Sequence, residues 1–200
     1  MSIPTELCTG RMLLRPWRAD DAMAVLPVLE ANRDHLEPWI PKRVSEPAPI
    51  GILEERLAGC GQDFAADREW RFGMFLLDQP VPLGEFGLFP RSASGRVPFA
   101  ISDRAEIGYW LRSDFTGRGL VNEAARAVLG AAAAVPRFSH IEIRCDARNA
   151  PSVAVARRLG FTLASASHPD ELGDNSRATL QIWTFPNRPG GQRPDLARSS

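Results

Sequence analysis

The sequence predicts an α/β domain of mixed (α+β) type. A strand, a glycine-containing turn, a helix and a second strand follow one another within residues 105–147, which is the order of a βαβ unit. Two apolar segments, 70–78 and 80–89, meet at a short turn and predict a β-hairpin. Compact domains usually hold about 100 to 200 residues, so the 200 residues of the chain fit one such domain.

The chain begins with a predicted strand and a long predicted helix. The apolar run at 11–17 predicts the strand. The helix is predicted over 19–36, where Asp20 or Asp21 is placed to cap its first turn. Pro27 lies inside this segment and is expected to kink or divide the helix, because proline cannot donate a backbone hydrogen bond.

A second helix leads into the strands of the sheet. Apolar residues at helical spacing predict this helix over 48–68. The hairpin strands 70–78 and 80–89 follow, and a third strand is predicted at 105–112. The polar segment 90–104 is predicted to be a loop, which either covers a site or forms variable surface.

The second half of the domain continues the alternation of helices and strands. The predicted elements are a glycine turn and helix within 113–134, a strand at 139–147, a helix at 150–160, and strands at 161–166 and 178–186. Strands 105–112 and 139–147 should be parallel, with a right-handed crossover between them. The segment 187–200 is rich in Pro, Gly and Arg and has no periodicity, so we expect a mobile tail after a single domain at 1–186.

Composition argues against several classes of partner. The chain has 24 Lys and Arg and 24 Asp and Glu, so it lacks the basic excess of a nucleic-acid-binding surface. Its three cysteines are far apart and predict neither a disulfide framework nor a metal site. No signal peptide is evident, and no apolar run approaches the roughly 20 residues of a membrane span. We therefore expect a cytoplasmic protein that binds no nucleic acid, membrane or metal.

Gly117 and Gly119 stand directly before an alanine-rich helix. The first N–H groups of a helix lack partners and its dipole is positive there, so a phosphate group can bind. The alternative is a plain turn with Asn122 as the helix cap. The chain has no P-loop motif, and Asn122 stands where a dinucleotide fingerprint requires its third glycine. The expected ligand is a phosphorylated cofactor of another kind.

Two segments then carry a family resemblance. "EIGYWLRSDFTGRGLVNEAAR" and "RCDARNAPSVAVARRLGF" resemble the cofactor-binding segments of the GNAT superfamily of acyl-CoA-dependent N-acyltransferases. "RMLLRPWRADDA" and "NRDHLEPWIP" resemble its RimJ/RimL-type branch, which acetylates N-termini of ribosomal proteins. The resemblance covers about residues 10–185. It implies a mostly antiparallel twisted sheet of about six or seven strands, with a splayed parallel pair at the cofactor site and about four flanking helices.

The resemblance also implies a cofactor site. The pyrophosphate of CoA would bind the loop formed by Thr116, Gly117, Arg118, Gly119, Leu120 and Val121. Thr116 and Val121 depart from the family pattern, which has Arg or Gln at the first position and a small residue at the last. Backbone groups of Tyr109, Trp110 and Leu111 would bind the pantetheine arm between the two parallel strands. Core packing is the alternative role for the two aromatic residues.

Residues near the acyl group follow from the same resemblance. Asn149 and Ser152 match an N-x-x-S motif, in which the asparagine would bind the pantetheine arm and the serine would orient or protonate the leaving thiolate. Helix capping is the alternative for both residues. Trp39 would line the acceptor site.

Glu171 is the candidate general base by resemblance to the RimL-like branch. His168, Asp170 and Glu106 are alternatives, and each of these groups can also be an ordinary charge or polar group at the surface. The choice among the four stays open from the sequence.

The expected function is acetyl-CoA-dependent N-acetylation of a primary amine, with a protein or peptide N-terminus as the leading acceptor. One alternative keeps the fold and takes a small-molecule amine, such as an antibiotic, a polyamine or an amino acid, or another acyl-CoA. A second alternative is a non-catalytic acyl-CoA-binding module. The family also implies a homodimer.

Overall fold

The structure is a computed structural model that describes residues 3–167 and 179–187. The strands in this part of the chain are β1 (Leu7–Cys8), β2 (Met12–Pro16), β3 (Trp70–Leu76), β4 (Pro82–Ser92), β5 (Gly95–Arg96), β6 (Arg104–Leu111), β7 (His140–Asp146), β8 (Thr162–Ser167) and β9 (Leu180–Pro186). They form one sheet in the order β1-β2-β3-β4-β6-β7-β9-β8, and β5 pairs with the end of β4.

The helices in the described residues are α1 (Ala22–Ala31), α2 (Arg33–Leu36), α3 (Lys42–Ser45), α4 (Ile50–Ala65), α5 (Leu120–Ala132) and α6 (Ala150–Arg158). Four of them, α1, α4, α5 and α6, have at least 9 residues. Seven of the strands have at least 5 residues, and β1 and β5 have only 2. The predicted mixed architecture is confirmed, with the short elements as additions.

The parallel pair lies in the middle of the sheet. Strands β6 and β7 pair in parallel only from Ala105 opposite Ile141 to Ile107 opposite Ile143, while all other described strand pairs are antiparallel. Strand β6 continues to Leu111, and no described residue pairs with it on the β7 side beyond Ile107. The splayed pair expected from the resemblance is therefore confirmed.

The two faces of the sheet bury different helices. On one face, Ile107, Ile141 and Ile143 join the main core cluster together with the apolar side of α5 and with α6. On the other face, Phe75 and Trp110 join a second cluster with residues of α1 and α4. Alternation along each strand produces this division, because successive side chains point to opposite faces.

The first helix differs from its prediction. Pro27 lies inside α1 without dividing it, and the break falls at Asn32. Asp21 does not cap α1. Its carboxylate instead accepts hydrogen bonds from Arg15 at 2.6 and 2.8 Å and from the Arg18 backbone N–H at 2.9 Å. Asp21 therefore closes the helical turn Ala19–Asp21 that precedes α1 and pairs with Arg15 of β2, but it does not cap α1 itself.

Two segments contain structure that the sequence does not predict. The segment 90–104 is not a plain loop, since β4 extends to Ser92 and the segment also contains β5 and a helical turn at Phe99–Ile101. Asn187, assigned to the tail, is buried, and its side-chain amide donates to the carbonyl groups of Ala132, Val135 and Phe138. Residues 188–200 lie outside the described part of the chain.

Candidate functional site

The glycine loop presents an open helix N-terminus. Gly117 and Gly119 have φ values of 75° and 76°, which side-chain-bearing residues rarely adopt. Helix α5 begins at Leu120, directly after Gly119, and no side chain caps it. A Cβ built on Gly117 would meet no atom within 4 Å. The first N–H groups of α5 are thus exposed to a ligand, as an anion site requires.

Contacts within the loop fix its shape. Thr116 donates its hydroxyl hydrogen to the Ser113 carbonyl oxygen at 2.8 Å, so this group can offer a ligand only its acceptor lone pair. Arg118 donates to the Asp114 carbonyl oxygen at 2.8 Å and lies over the Phe115 ring at 4.8 Å. The arginine side chain therefore folds back on the loop, and the backbone is the group that faces the ligand position.

The last two residues of the predicted loop belong to the helix and its packing. Leu120 is buried in the main core, and Val121 packs against that core. Asn122 is the third residue of α5 and does not cap it. The departure at Val121 thus places a larger side chain against the core of the domain.

A contact between residues far apart in the chain, which the sequence does not predict, holds the glycine loop in place. Arg11 donates its backbone N–H to Glu123 at 2.9 Å and its Nε to the same carboxylate at 2.7 Å. Its Nη1 donates to the Arg118 carbonyl oxygen at 3.0 Å. Burial opposes ionisation of Glu123, but hydrogen bonds from Thr9 and Arg11 outweigh it and lower the pKa of Glu123. The carboxylate therefore stays ionised at neutral pH.

The start of the loop is tied to the end of α1. The Asn32 side-chain oxygen accepts hydrogen bonds from the Ser113 backbone N–H at 2.8 Å and from its hydroxyl at 2.9 Å. The amide of Asn32 in turn donates to the Val28 carbonyl oxygen at 2.8 Å. The residue that breaks the first helix therefore also positions the loop.

The orientation of peptide groups along β6 decides which residues face the gap beside β7. Arg112 donates its backbone N–H to a β4 carbonyl at 2.8 Å, and a Cβ on Gly84 would lie 2.1 Å from the Trp110 carbonyl oxygen. Because peptide groups alternate along an antiparallel ladder, Trp110 bonds toward β4, and Tyr109 and Leu111 face the other edge. Backbone contact to the cofactor stays a prediction, and the geometry favours Tyr109 and Leu111 over Trp110 for it.

Asn149 caps helix α6. Its side-chain oxygen accepts a hydrogen bond from the Ser152 backbone N–H at 3.1 Å, so the capping role considered for Asn149 is confirmed. The amide nitrogen of Asn149 has two N–H groups that the cap does not use. Its role in binding a pantetheine arm stays a prediction that this geometry allows.

A cleft of about 310 Å³ brings some of the predicted residues together, whereas Leu111 and the loop at 116–121 are not part of its lining. Its lining includes Trp39, Glu106, Tyr109, Trp110, Cys145, Asn149 and Ser152. Tyr109 and Trp110 are consecutive strand residues whose side chains point to opposite faces of the sheet. Beyond the last pair of β6 and β7, the lining takes residues from both strands, so the cleft opens at the gap between β6 and β7. We call it the central cleft.

Trp39 stands at the mouth of the central cleft. It lies between α2 and α3, and 40% of its surface is exposed. Trp110, by contrast, is buried among α1 and α4, so core packing is the role that the structure gives its side chain.

Buried ion pairs line the wall of the central cleft. Arg71 donates to Glu85 at 3.1 Å and to Glu69 at 2.9 Å. Glu106 accepts hydrogen bonds from Arg91 and from Arg96, the latter at 3.1 Å. Because both oxygens of Glu106 already accept hydrogen bonds from guanidinium groups, the carboxylate is not free to approach an amine, which disfavours Glu106 as the base.

Three of the four candidate bases, Glu171, Asp170 and His168, lie outside the described residues. Within residues 3–167 and 179–187, no group of three or more His, Cys, Asp and Glu side chains is arranged to hold a metal ion. In the same part of the chain, no helix has both the length and the apolar character needed to cross a bilayer.

The splayed strand pair, the open helix N-terminus and the cleft between them are the features expected of an N-acyltransferase. Residues 11–162 match the family model of the acetyltransferase (GNAT) domain. The chain belongs to this family and is a GNAT N-acetyltransferase. Membership supports an enzyme over the alternative of a non-catalytic binding module.

Individual relatives agree with the family. The probable N-acetyltransferase YjcK of Bacillus subtilis (strain 168) is 26% identical over 148 residues, which cover 74% of this chain and 78% of that protein. The ribosomal-protein-serine acetyltransferase of Escherichia coli (strain K12) is 35% identical over 83 residues, or 42% of this chain and 46% of that protein.

A solved structure has the same fold over nearly the whole length. RimL, a ribosomal L7/L12 alpha-N-protein acetyltransferase in complex with coenzyme A, superposes with a TM-score of 0.74 at 21% identity. The match covers 93% of this chain and 98% of that one. At this level of identity the likeness establishes the fold.

Proposed function

We propose that the protein transfers the acetyl group of acetyl-CoA to a primary amine, and that the acceptor is the N-terminal α-amine of a protein or peptide. The observation that carries the proposal is the continuity of the site. Strand β6 runs past its last pair with β7 into the uncapped N-terminus of α5, which suits a pyrophosphate, and a cleft that suits an acyl arm is lined by residues of both strands.

The residues present suit coenzyme A. Positive φ values at Gly117 and Gly119 and the open space at Gly117 leave a cradle that a Cβ would fill. Peptide groups of Tyr109 and Leu111 line the open edge of β6, where an extended arm can pair with them as an added strand does. The amide of Asn149 lies at the same cleft.

The donor supplies a thioester, which a neutral amine can attack. In this proposal, a backbone N–H on the open edge of β6 stabilises the negative charge that develops on the carbonyl oxygen. One such donor contributes about 3 to 4 kcal/mol in other enzymes. Ser152 lies in the central cleft, where its hydroxyl can donate a hydrogen bond to the leaving sulfur.

An α-amine suits a site with a modest base. Its pKa is about 7.7 to 8.0, against about 10.4 for a lysine side chain, so far less help is needed to remove its proton at neutral pH. The relatives named above support this acceptor, since both the Escherichia coli protein and RimL are named for ribosomal proteins. The exposed face of Trp39 offers an apolar surface to the residues that follow the amine.

The base is proposed to be Glu171. Replacing Glu171 by Gln should lower kcat and remove the acidic limb of the pH dependence of kcat. Replacing Glu106 by Gln should leave that limb in place, because its carboxylate is already held by Arg91 and Arg96. If only Glu106→Gln removed the acidic limb of the pH dependence of kcat, the general base would be Glu106.

The central experiment measures CoA release from acetyl-CoA with a panel of peptides and small amines, and mass spectrometry locates the acetyl group. We expect acetylation of peptide N-termini, while the same peptides blocked at the N-terminus but carrying a free lysine should react poorly. Preferential turnover of a small amine would replace the proposed acceptor. Propionyl-CoA in parallel tests the choice of acyl donor.

The homodimer stays a prediction that light scattering can test, and the cytoplasmic location stays a prediction from the free cysteines.

A further inference from the structure

Tyr109 is the single tyrosine of the chain, and the chemistry above does not use its hydroxyl group. That hydroxyl is buried, and no described residue gives it a well-aligned hydrogen bond. The ring is held against Phe86, with 5.6 Å between the centroids and 17° between the planes. Because an unpaired buried polar group is costly, this oxygen calls for an explanation.

Ser152 and Cys145 are the polar side chains that act on this hydroxyl. Burial raises the pKa of Tyr109, an interaction with the Ser152 side chain opposes the rise, and Cys145 adds to it. Tyr109 and Ser152 line the same cleft, and the interaction between their side chains places the Ser152 hydroxyl near the Tyr109 oxygen, although the two do not form a full hydrogen bond. Hydrogen bonds of catalytic groups are often poorly aligned before substrate binds and tighten in the complex.

The Tyr109 and Ser152 hydroxyl groups differ in their access to the central cleft. The Tyr109 oxygen is shielded from the central cleft, whereas Ser152 is half-buried and lines it. A ligand in the cleft can thus touch the serine hydroxyl, and the tyrosine can act on the ligand only through the serine.

We propose that Tyr109 is a positioning residue that orients the Ser152 hydroxyl toward the sulfur atom of the acyl donor. Tyr109 donates its O–H to Ser152 Oγ, which leaves the serine hydrogen free to bond the sulfur. This inference rests on the proposed function, because it uses the assignment of Ser152 to the thioester sulfur.

Neither hydroxyl loses its proton in this scheme. Acyl transfer forms the C–N bond and breaks the C–S bond, the sulfur leaves with the electron pair, and the proton lost by nitrogen goes to the base or to solvent. A thiol has a pKa of about 8.5, well below that of an alcohol, and burial raises the pKa of Tyr109. The hydroxyl pair therefore stabilises the thiolate by hydrogen bonding rather than by protonating it.

The thiol of bound CoA reports on this pair without any acceptor. The thiolate absorbance of CoA is titrated with saturating wild-type protein and with Tyr109→Phe, Ser152→Ala and the double variant. We expect wild-type protein to lower the pKa of the bound thiol below that of free CoA. Each single variant should remove most of this shift, and the double variant should match Ser152→Ala.

Steady-state kinetics supply the second readout. Tyr109→Phe keeps the stacking on Phe86 and removes one oxygen, so the melting temperature should change little. We expect kcat to fall about fivefold, the loss of one hydrogen bond, while KM for acetyl-CoA stays within about twofold. When Tyr109→Phe is added to Ser152→Ala, kcat should not fall further. Ser139→Ala, which removes an exposed hydroxyl outside the cleft, is the control.

The outcomes separate this inference from the proposed function. If Tyr109→Phe leaves both the thiol pKa and kcat unchanged, Tyr109 has no positioning role. The same conclusion follows if Tyr109→Phe lowers kcat by the same factor in the Ser152→Ala background as in the wild type. Acetylation by a wild-type protein that leaves the bound thiol unshifted also overturns the inference and keeps the proposed function. A thiol pKa that wild-type protein lowers and Tyr109→Phe restores, without turnover of any amine, would keep the contact of the hydroxyl pair with the sulfur and overturn the proposed activity.

Discussion

Arg11 and Glu123, 112 residues apart in the chain, join the turn before β2 to the first turn of α5, with 2.6 Å between Nη2 and Oε2. The same guanidinium group donates to the carbonyl oxygen of Arg118 inside the glycine loop. The N-terminal strand thus supports the loop that the anion of the donor is proposed to bind. A cofactor loop held in this way keeps its backbone N–H groups in place without a capping side chain.

Replacing Arg11 by Met should weaken CoA binding about threefold while changing stability by less than about 1 kcal/mol. The guanidinium side chain is 48% exposed, so the ion pair itself contributes little to folding. The expected loss comes instead from a less ordered Arg118 peptide group. Calorimetry of CoA binding and thermal denaturation measure the two effects separately.

The control for this variant is Arg68→Met, which breaks the exposed ion pair with Asp63 away from the loop. Its CoA affinity should equal that of the wild type. An equal weakening in both variants would mean that general charge, and not the contact with the loop, sets the affinity.

Gly119→Ala should raise the Kd for CoA about tenfold or more. The φ value of 76° at Gly119 is strained for alanine by about 1 to 2 kcal/mol, so the loop must change shape or hold that strain. Gly130→Ala is the matched control, since Gly130 is an exposed residue in the last turn of α5 with nothing within 4 Å of a Cβ. This control should stabilise the protein by about 0.5 to 1 kcal/mol and leave Kd unchanged. Similar Kd values for the two variants would count against the loop backbone as the binding group.

Trp39→Ala should raise KM for the acceptor peptide about tenfold and leave KM for acetyl-CoA within about twofold. The side chain is 40% exposed and lines the central cleft. Leu77→Ala, which removes a residue that is 60% exposed outside the cleft, serves as the control. A selective rise in KM for acetyl-CoA in Trp39→Ala would move Trp39 from the acceptor to the donor side.

Glu142→Gln should destabilise the protein by about 3 to 5 kcal/mol near neutral pH, since it removes one partner from a buried ionic cluster. The Glu142 side chain is 4% exposed and bonds Arg144, His140 and Arg104 at 3.1 to 3.4 Å. Burial alone would raise the pKa of Glu142, but these hydrogen bonds outweigh it, and the pKa lies below its ordinary value.

The pH dependence of that effect follows from the direction of the shift. Because the pKa is lower in the folded state, the stabilisation is fully present above the ordinary glutamate pKa of about 4.3 and is lost as pH falls through the folded value. The difference between wild type and Glu142→Gln should therefore shrink in acid, as measured by urea denaturation between about pH 3 and pH 7. Asp103→Asn, an exposed carboxylate paired with the same Arg104, should show little effect at any pH. A difference that grows in acid would contradict this assignment.

The sequence was sufficient for features that depend on local chain properties. Glycines before an alanine-rich run predicted the uncapped start of α5, because positive φ values are a property of single residues. Period-two alternation predicted β7, although it did not show that Glu142 is buried. The segment 90–104 is predicted to be a loop because it is polar. Part of it instead forms the end of β4 and β5, where pairing between strands outweighs the local pattern.

Local sequence patterns thus predict the order of the longer elements, the glycine loop and the resemblance to the family. The folded chain adds that Trp110 turns its peptide group away from the gap, that Glu106 is held by two arginines, and that Tyr109 and Ser152 line one cleft. Backbone dihedrals and side-chain periodicity are local, so a sequence carries them directly. Strand register and contacts between distant residues depend on how whole elements pack, and they become visible only in the folded chain.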